Sequence, residues 1–200
     1  MTRQDRQLLK ELKKALPLLI KDLAREKKLK KKDFMLYGVR DALFFDCLLN
    51  VSVNNENQCV CSSIERVKPL WLDDLLWDFL GMSDNKKAPA SLRATGAFAV
   101  YGAPILEDST ILENWSLDEL KNALIKYTDQ FCEDIMNVPY SVFEESILNG
   151  YHGELREALY YIHEGKYRMA LETIGECEGA FSNGGIDIND AMRNYCLKSN

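Results

Sequence analysis

The sequence is poor in the residues and motifs that signal an enzyme. Only two of its 200 residues are histidines, His152 and His163, and both fall among the C-terminal helical segments. No motif places a serine or cysteine nucleophile with a histidine and an orienting carboxylate. Nor does the chain contain Gly-x-Ser-x-Gly, a phosphate-binding loop, Gly-x-Gly-x-x-Gly or His-Glu-x-x-His. We therefore predict no catalytic, cofactor-binding or metal-binding residues, and we keep an enzyme with an unrecognised active site as an alternative.

Long apolar runs and export signals are also missing. No apolar run approaches the roughly 18 residues of a membrane span, and the basic N-terminus lacks the apolar segment and cleavage site of a signal peptide. We therefore expect a cytoplasmic protein without membrane contact, in which the six cysteines are reduced. Cys59 and Cys61 would share one face of a strand. Because zinc sites use Cys-x2-Cys pairs with further ligands, we interpret both as core residues.

Apolar residues, by contrast, are plentiful, and charge is unevenly distributed. Hydrophobic residues make up 46% of the chain and aromatic residues 10%, which is enough for a packed core. The chain has 25 basic and 31 acidic residues. Residues 1–32 hold 12 of the basic and 4 of the acidic residues, a net charge of +8. The rest of the chain holds the other 13 basic and 27 acidic residues, a net charge of -14. A basic leading segment thus precedes an acidic body, which would repel nucleic acid and attract a basic partner.

The leading segment has the pattern of an amphipathic helix. Its apolar residues recur at helical spacing, at Leu8, Leu12, Leu16, Leu19, Ile20 and Leu23. Pro17 lies within this stripe, and we expect it to kink the helix or to begin a second one. The lysine-rich run "KKLKKK", residues 27–32, follows the helix. Cations at this end interact favourably with the last carbonyl groups of the helix. We interpret this cluster as the solvated end of the helix.

Alternation replaces helical spacing further along the chain. Apolar residues at every second position predict a strand over residues 45–53, and its hairpin partner is predicted at 59–64 after the polar turn "NNEN". A first strand is predicted at residues 34–39. A further strand is predicted at residues 96–105, after a polar loop at residues 82–94. Because the first three of these strands follow one another through turns, we expect them to form an antiparallel meander.

Helical signals surround and follow the strands. Pro69 and Gly81 bracket a short helix, which is called here the Pro69 helix. Ser116 and Glu119 form a capping box for a helix that ends near Met136. Further helices are predicted at residues 153–164, 166–178 and 187–197.

The predicted fold class is α+β: a mostly antiparallel sheet with packed helices, followed by a C-terminal helical extension. Residues 1–137 would form the α+β domain with its leading amphipathic helix. Residues 138–200 would form a helical extension packed on that domain.

The Pro69 helix carries the candidate partner-binding residues. At about 100° per residue, the side opposite its apolar face holds Asp73, Asp74, Trp77 and Asp78. A large exposed aromatic residue beside carboxylates is typical of a partner site, so we predict partner binding by Trp77, Asp74 and Asp78. The usual burial of large aromatic residues favours the alternative, in which the loop after this helix or the C-terminal helices cover Trp77.

Residues from about 8 to 136 resemble a bacterial family of small α+β proteins, the domain of unknown function 4304. The resemblance is carried, in order, by "LKKKDF", "ALFFDCLLNVSV", "QCVCSSI", "WLDDLLWDFLG" and "FAVYGAPI". Asp33 replaces the glycine that usually precedes the phenylalanine of the first motif. The resemblance implies an α+β fold and transfers no catalytic residue.

The C-terminal part is similar to a single tetratricopeptide-type helix pair. Small and aromatic residues occupy the spacings of that repeat at Ala158, Tyr161, Gly165, Tyr167, Ala170, Ile174 and Cys177. Glu154 and Glu157 stand where the repeat has tryptophan and leucine, and no second copy is evident. Because such repeats need neighbours to bury a core, the resemblance implies one helical hairpin.

Three hypotheses for function follow. The first is a non-catalytic binding or interaction module of bacterial type, such as an immunity or inhibitor protein whose acidic body binds a basic partner protein. The second is an enzyme, which would need a polar pocket around one of the two histidines. The third is nucleic-acid binding through Arg25, Lys27, Lys28 and Lys30–Lys32, which the acidic charge of the body disfavours.

Overall fold

The computed structural model describes residues 1–148, 153–175 and 181–199. Its strands are β1 (Lys30–Lys32), β2 (Met35–Arg40), β3 (Leu43–Val53), β4 (Cys59–Pro69), β5 (Ala103–Ile111), β6 (Ser182–Asn183) and β7 (Ile186–Asp187). Its helices are α1 (Arg3–Glu26), α2 (Leu70–Phe79), α3 (Ser91–Thr95), α4 (Leu117–Asn137), α5 (Ser141–Leu148), α6 (Glu154–His163), α7 (Tyr167–Ile174) and α8 (Ile188–Ser199), with a 3-10 helix at Ser83–Lys87. Strands β1 to β5 form one antiparallel sheet in chain order, with helices packed on it and a helical C-terminal part, which confirms the α+β class.

The chain divides into two compact units. The sheet unit comprises Met1–Val67 and Pro104–Val138, and the helical unit comprises Lys68–Ala103 and Pro139–Asn200. The sequence-based division places Lys68–Ala103 in the first domain, whereas the structure groups this segment with the C-terminal helices. The reason is long-range packing, because α2 contacts α6 and α8 within the helical unit. Packing of the C-terminal extension on the first domain stays a prediction.

The core of the sheet unit lies between the sheet and two helices. Helices α1 and α4 contact each other, and both contact β3. In the meander, Leu36 pairs with Cys47 and Gly38 with Phe45. A Cβ atom at Gly38 would lie 3.0 Å from Cδ1 of Ile135, so glycine allows α4 to approach β2 closely. Burial alternates along residues 47–51 of β3 and the first part of β4, whereas Leu43 to Cys47 are all buried. The core side chains include Leu12, Leu16, Ile20, Phe45, Cys47, Leu49, Val51, Cys59, Cys61, Leu120, Leu124 and Phe131.

Helix α1 is a single helix that contains Pro17, so the proline does not begin a second helix. Thr2 and Asp5 form a capping box at its N-terminus. The missing N–H of an interior proline costs about 3 kcal/mol. Leu16 and Ile20, on either side of Pro17, are buried, and each such side chain stabilises the packed helix by roughly 1.5–3 kcal/mol. Packing of the apolar face therefore outweighs the local cost of the proline.

The lysine cluster is divided between the end of α1 and an edge strand. Helix α1 ends at Glu26, and Lys27 is its C-cap. The Nζ atom of Lys27 lies 2.6 Å from Oδ1 of Asp129 on α4, so one lysine of the cluster neutralises an acidic residue of the same unit. Residues Lys30–Lys32 form β1 at the edge of the sheet. Because lysines on an edge strand oppose pairing with another chain, they help to keep this edge unpaired.

The helical unit contains α2, α3 and α5 to α8, together with the small hairpin of β6 and β7. The three predicted C-terminal helices are confirmed in α6, α7 and α8, although residues 176–178 of the second prediction lie outside the described residues. Helices α6 and α7 contact each other closely, and α7 also contacts α8. These helices therefore form one packed group within the unit.

The strand predicted at residues 96–105 is largely wrong. Of this range, only Ala103 and the residues after it belong to a strand, β5. The N–H of Val100 donates to Oδ1 of Asp73 at 2.8 Å, and the carbonyl of Phe98 accepts from Nε1 of Trp77 at 2.6 Å. Side chains of α2 thus satisfy backbone groups that a strand would pair with its neighbour, and no local pattern signals this.

Glu65 on β4 is an acidic side chain in the core of the sheet unit. Burial, and after it the neighbouring carboxyl group of Asp134, raises the pKa of Glu65 to about 8. The ordinary pKa of this group is 4.5. Between these values the folded protein holds one more proton than the unfolded chain. The free energy of unfolding contributed by Glu65 is therefore complete below about pH 4.5 and is lost as pH rises through about 8.

Replacing Glu65 with glutamine should remove this pH dependence, because the amide keeps the shape of the side chain and does not titrate. We expect E65Q to match the wild type below about pH 4.5 and to be more stable at pH 8. The difference should grow by at most about 1.4 kcal/mol per pH unit. Urea unfolding at a series of pH values measures it, with E133Q on the exposed side of α4 as the control. Parallel profiles for E65Q and wild type would contradict a protonated Glu65.

Candidate functional site

Trp77 is buried within the helical unit. Its side chain is only 1% exposed. Its Nε1 atom donates to the carbonyl of Phe98, and the guanidinium of Arg93 lies 4.7 Å from the centre of its ring. Arg93 lies in the segment 82–94, which was predicted as a loop after the Pro69 helix (α2). This segment therefore covers Trp77, as the alternative prediction states. A partner contact by Trp77 would require this cover to move.

The two other predicted partner-binding residues are engaged by cations of the same unit. Oδ1 of Asp74 lies 2.7 Å from Nη2 of Arg93. Asp78 accepts hydrogen bonds from Nζ of Lys86 at 2.5 Å and from Oγ of Ser83 at 2.7 Å. Although partial burial opposes the effect, these two hydrogen bonds hold the pKa of Asp78 below its ordinary value. Both carboxylates thus hold the segment after α2 to that helix.

Asp73 is the centre of a buried ion cluster that the sequence analysis missed. The helical projection places Asp73 on the polar side, but its side chain is fully buried. Nζ of Lys68, also buried, lies 3.0 Å from Oδ1 and 2.9 Å from Oδ2 of Asp73. The same ammonium donates to the carbonyls of Arg93 at 2.9 Å and Val100 at 2.5 Å. We call Lys68, Asp73, Asp74 and Arg93 the ion cluster; it holds two positive and two negative charges.

Aromatic rings gather elsewhere in the helical unit, and we call Trp71, Tyr140, Phe143, Tyr160 and His163 the aromatic patch. The rings of Trp71 and His163 stack with their centres 3.9 Å apart and an angle of 6° between their planes. Phe143 is fully buried and lies about edge-on to Trp71, with the ring centres 6.0 Å apart. Trp71 and Tyr140 are half-buried, and a hydrogen bond joins their side chains. The patch therefore offers partly exposed rings held on a buried base.

Two carboxylates and one ammonium lie beside the aromatic patch. Burial is the largest cause that raises the pKa of Tyr140, and the nearby negative charges of Glu144 and Glu164 raise this pKa further. The same two carboxylates raise the pKa of Tyr160, after burial. Nζ of Lys166 lies 5.6 Å from the centre of the Tyr160 ring and 3.8 Å from Oε2 of Glu164. A cation of the chain itself thus occupies a position between an aromatic face and a carboxylate, the surroundings that favour cations.

The histidines and cysteines form no reactive group among the described residues. His163 stacks on Trp71, and His152 lies outside the described residues. No group of three or more His, Cys, Asp or Glu side chains in residues 1–148, 153–175 and 181–199 is placed to hold a metal ion. Cys59 and Cys61 are buried, and burial raises the pKa of Cys61 to about 12. Both thiols are therefore protonated core side chains at neutral pH. None of the helices in the described ranges has the length and apolar character of a membrane span.

Comparison of the chain with protein-family models, curated proteins and solved structures finds no match. The resemblances to the domain of unknown function 4304 and to a tetratricopeptide helix pair therefore stay predictions. The side chains on the surface of each unit are then the features that bear on function.

The ion cluster should be essential to stability. Lys68→Met keeps the length of the side chain but leaves Asp73 buried without its ammonium, so we expect the free energy of unfolding to fall by about 3–5 kcal/mol. Lys86→Met, which breaks the exposed pair with Asp78, is the matched control and should cost about 1 kcal/mol or less. The double variant K68M/D73N should recover part of the loss. Urea unfolding measures all three, and an equal cost for K68M and K86M would contradict a buried, interdependent cluster.

Proposed function

We propose that the chain is a non-catalytic binding module that recognises a lysine- or arginine-rich segment of another protein through its helical unit. The observation that carries the proposal is the aromatic patch, in which half-buried rings lie near Glu144 and Glu164 and an ammonium of the chain already lies over one ring. An immunity or inhibitor protein that neutralises a basic toxin is one concrete form of this function. Such a module would act in the bacterial cytoplasm, where its free cysteines stay reduced.

The charge of the helical unit supports a basic partner. Lys68–Ala103 holds four basic and four acidic residues, whereas Pro139–Asn200 holds five basic and ten acidic residues. The surplus of five negative charges thus falls entirely in the segment that contains α5 to α8. A local surplus of this kind attracts a positively charged partner over several ångströms and raises the association rate, especially at low salt.

The short-range chemistry of the aromatic patch also suits lysine and arginine side chains. A cation over an aromatic ring gains about 0.5–2 kcal/mol, depending on how far it is removed from water. A neighbouring carboxylate adds a charge-assisted hydrogen bond. Each contact is modest, so affinity would require a segment with several basic residues. The position of Lys166 over Tyr160 indicates the geometry that an incoming ammonium would adopt.

A binding role is preferred over catalysis because of how His163 is held. A general base needs a ring nitrogen directed at the substrate and, in a triad, a carboxylate that orients the ring. Among the described residues, His163 stacks face to face on Trp71. This arrangement adds aromatic area to the patch and supplies no orienting group.

The proposal is tested with an octalysine peptide, whose binding to the full chain is measured by isothermal titration calorimetry, with octaglutamate as the negative control. E144Q/E164Q should weaken octalysine binding by about fivefold or more, since both carboxylates beside the rings are lost. E154Q/E172Q removes two exposed carboxylates of the same unit outside the patch and should have a smaller effect. K166M should strengthen binding, because it removes the ammonium that competes for Tyr160 and Glu164.

Absence of octalysine binding at low salt would overturn the proposal. Equal weakening by the two double variants would also contradict it, because the general charge of the unit would then account for all of the affinity.

A further inference from the structure

Basic residues recur along one side of α1 at helical spacing. We call Arg3, Lys10, Lys14, Lys21 and Arg25 the basic face. At about 100° per residue their side chains fall within an arc of roughly 60°. All five residues are exposed, and none of the acidic residues of α1 falls within the arc. The even spacing of seven, four, seven and four residues gives a continuous row rather than a scatter of charges.

The basic face is not used by the fold. The opposite side of α1 carries the buried Leu12, Leu16, Ile20 and Leu23, which pack in the sheet unit. Among the described residues, only Arg25 of the basic face has a carboxylate within 4.0 Å, that of Asp22 at 2.8 Å. The side chains of this pair are 73% and 69% exposed, so it adds about 1 kcal/mol or less.

Lys27, which lies on another side of the same segment, is used by the fold, unlike the basic face. It lies outside the arc of the basic face and forms an ion pair with Asp129. The fold thus neutralises the lysine that lies next to α4. It leaves Arg3, Lys10, Lys14 and Lys21 without an ion pair within the described residues.

The row is long and nearly straight. From Arg3 to Arg25 it spans about 33 Å at a rise of roughly 1.5 Å per residue. Lys30 and Lys32 on β1, the strand that follows and contacts α1, are also exposed and add two charges near its end. An extended row of cations matches an extended row of anions better than it matches a single anion.

We propose that the basic face binds the phosphate backbone of a nucleic acid without reading its base sequence. Double-stranded DNA carries one negative charge per roughly 1.7 Å along its axis, and exposed lysine and arginine side chains supply most of the affinity in non-specific binding. The net charge of the whole chain does not prevent this. At physiological ionic strength, salt screens exposed charges beyond about 8 Å, so the local face determines the interaction there.

An anionic membrane surface is a poorer match for the same face. Amphipathic helices that lie on membranes insert their apolar side, and the apolar side of α1 is already buried in the sheet unit. Leu18, 62% exposed, is the one large apolar side chain near the row among the described residues of α1. The basic face belongs to the sheet unit and the aromatic patch to the helical unit, so this proposal does not depend on recognition of a basic protein.

The test is fluorescence anisotropy with a labelled mixed-sequence DNA duplex and a labelled single-stranded RNA over a range of salt concentrations. We expect binding to both, with log K falling linearly against log salt at a slope of about -0.9 per phosphate contacted on DNA and -0.7 on RNA. K10Q/K14Q/K21Q should weaken binding to duplexes of different sequence alike, by roughly tenfold or more in dilute salt. It should also reduce the magnitude of the DNA slope by about 2.7.

The control variant K87Q/K121Q/K198Q removes the same charge from exposed positions outside the basic face and should change the slope little. Circular dichroism of both triple variants verifies that they are folded. No salt-dependent binding by the wild type, or equal losses for the two triple variants, would overturn the proposal. Binding to phosphatidylserine vesicles that depends on the basic face, without binding to nucleic acid, would overturn it in favour of a membrane surface.

Discussion

The buried contact between the ammonium of Lys68 and the carboxylate of Asp73 organises the helical unit. Removing either charge from water alone costs several kcal/mol, so neither belongs in a core without the other and without further hydrogen bonds. Residues 93–100 supply those bonds through two carbonyls and the amide of Val100. A segment with little regular structure is thereby held in one conformation, and Trp77 beside it is buried. The polar side of α2 is thus an internal surface along much of its length.

Burial of the ion cluster determines which groups remain for partners. Asp74 and Asp78 are bound by cations of their own unit, whereas Trp71 takes part in the half-buried aromatic patch. Glu144 and Glu164 give this patch a negative environment. The basic face of α1 has the opposite charge and lies in the sheet unit. Because the two surfaces differ in both chemistry and location along the chain, they suit two different kinds of partner.

Local patterns predicted much of the sheet unit, because alternation and capping boxes are signalled by residues that lie close together in sequence. Strand patterns indicated β2, β3 and the first part of β4, and the capping box at Ser116 located the start of α4. Predictions failed where a distant group decides the structure. Asp73 projects onto the polar side of α2 but is buried by its contact with Val100. The stack of Trp71 on His163 joins residues far apart in sequence, and no spacing signals it.

Hydrogen exchange at the amide of Val100, followed by NMR, tests the central claim most directly. This N–H lies outside regular structure and donates to Oδ1 of Asp73 at 2.8 Å inside the ion cluster. If the cluster holds residues 93–100 in place, the amide should exchange as slowly as those of the core strands, by orders of magnitude more slowly than an exposed loop amide. Exchange at the rate of an unprotected loop would contradict the claim that a buried ion pair orders this segment.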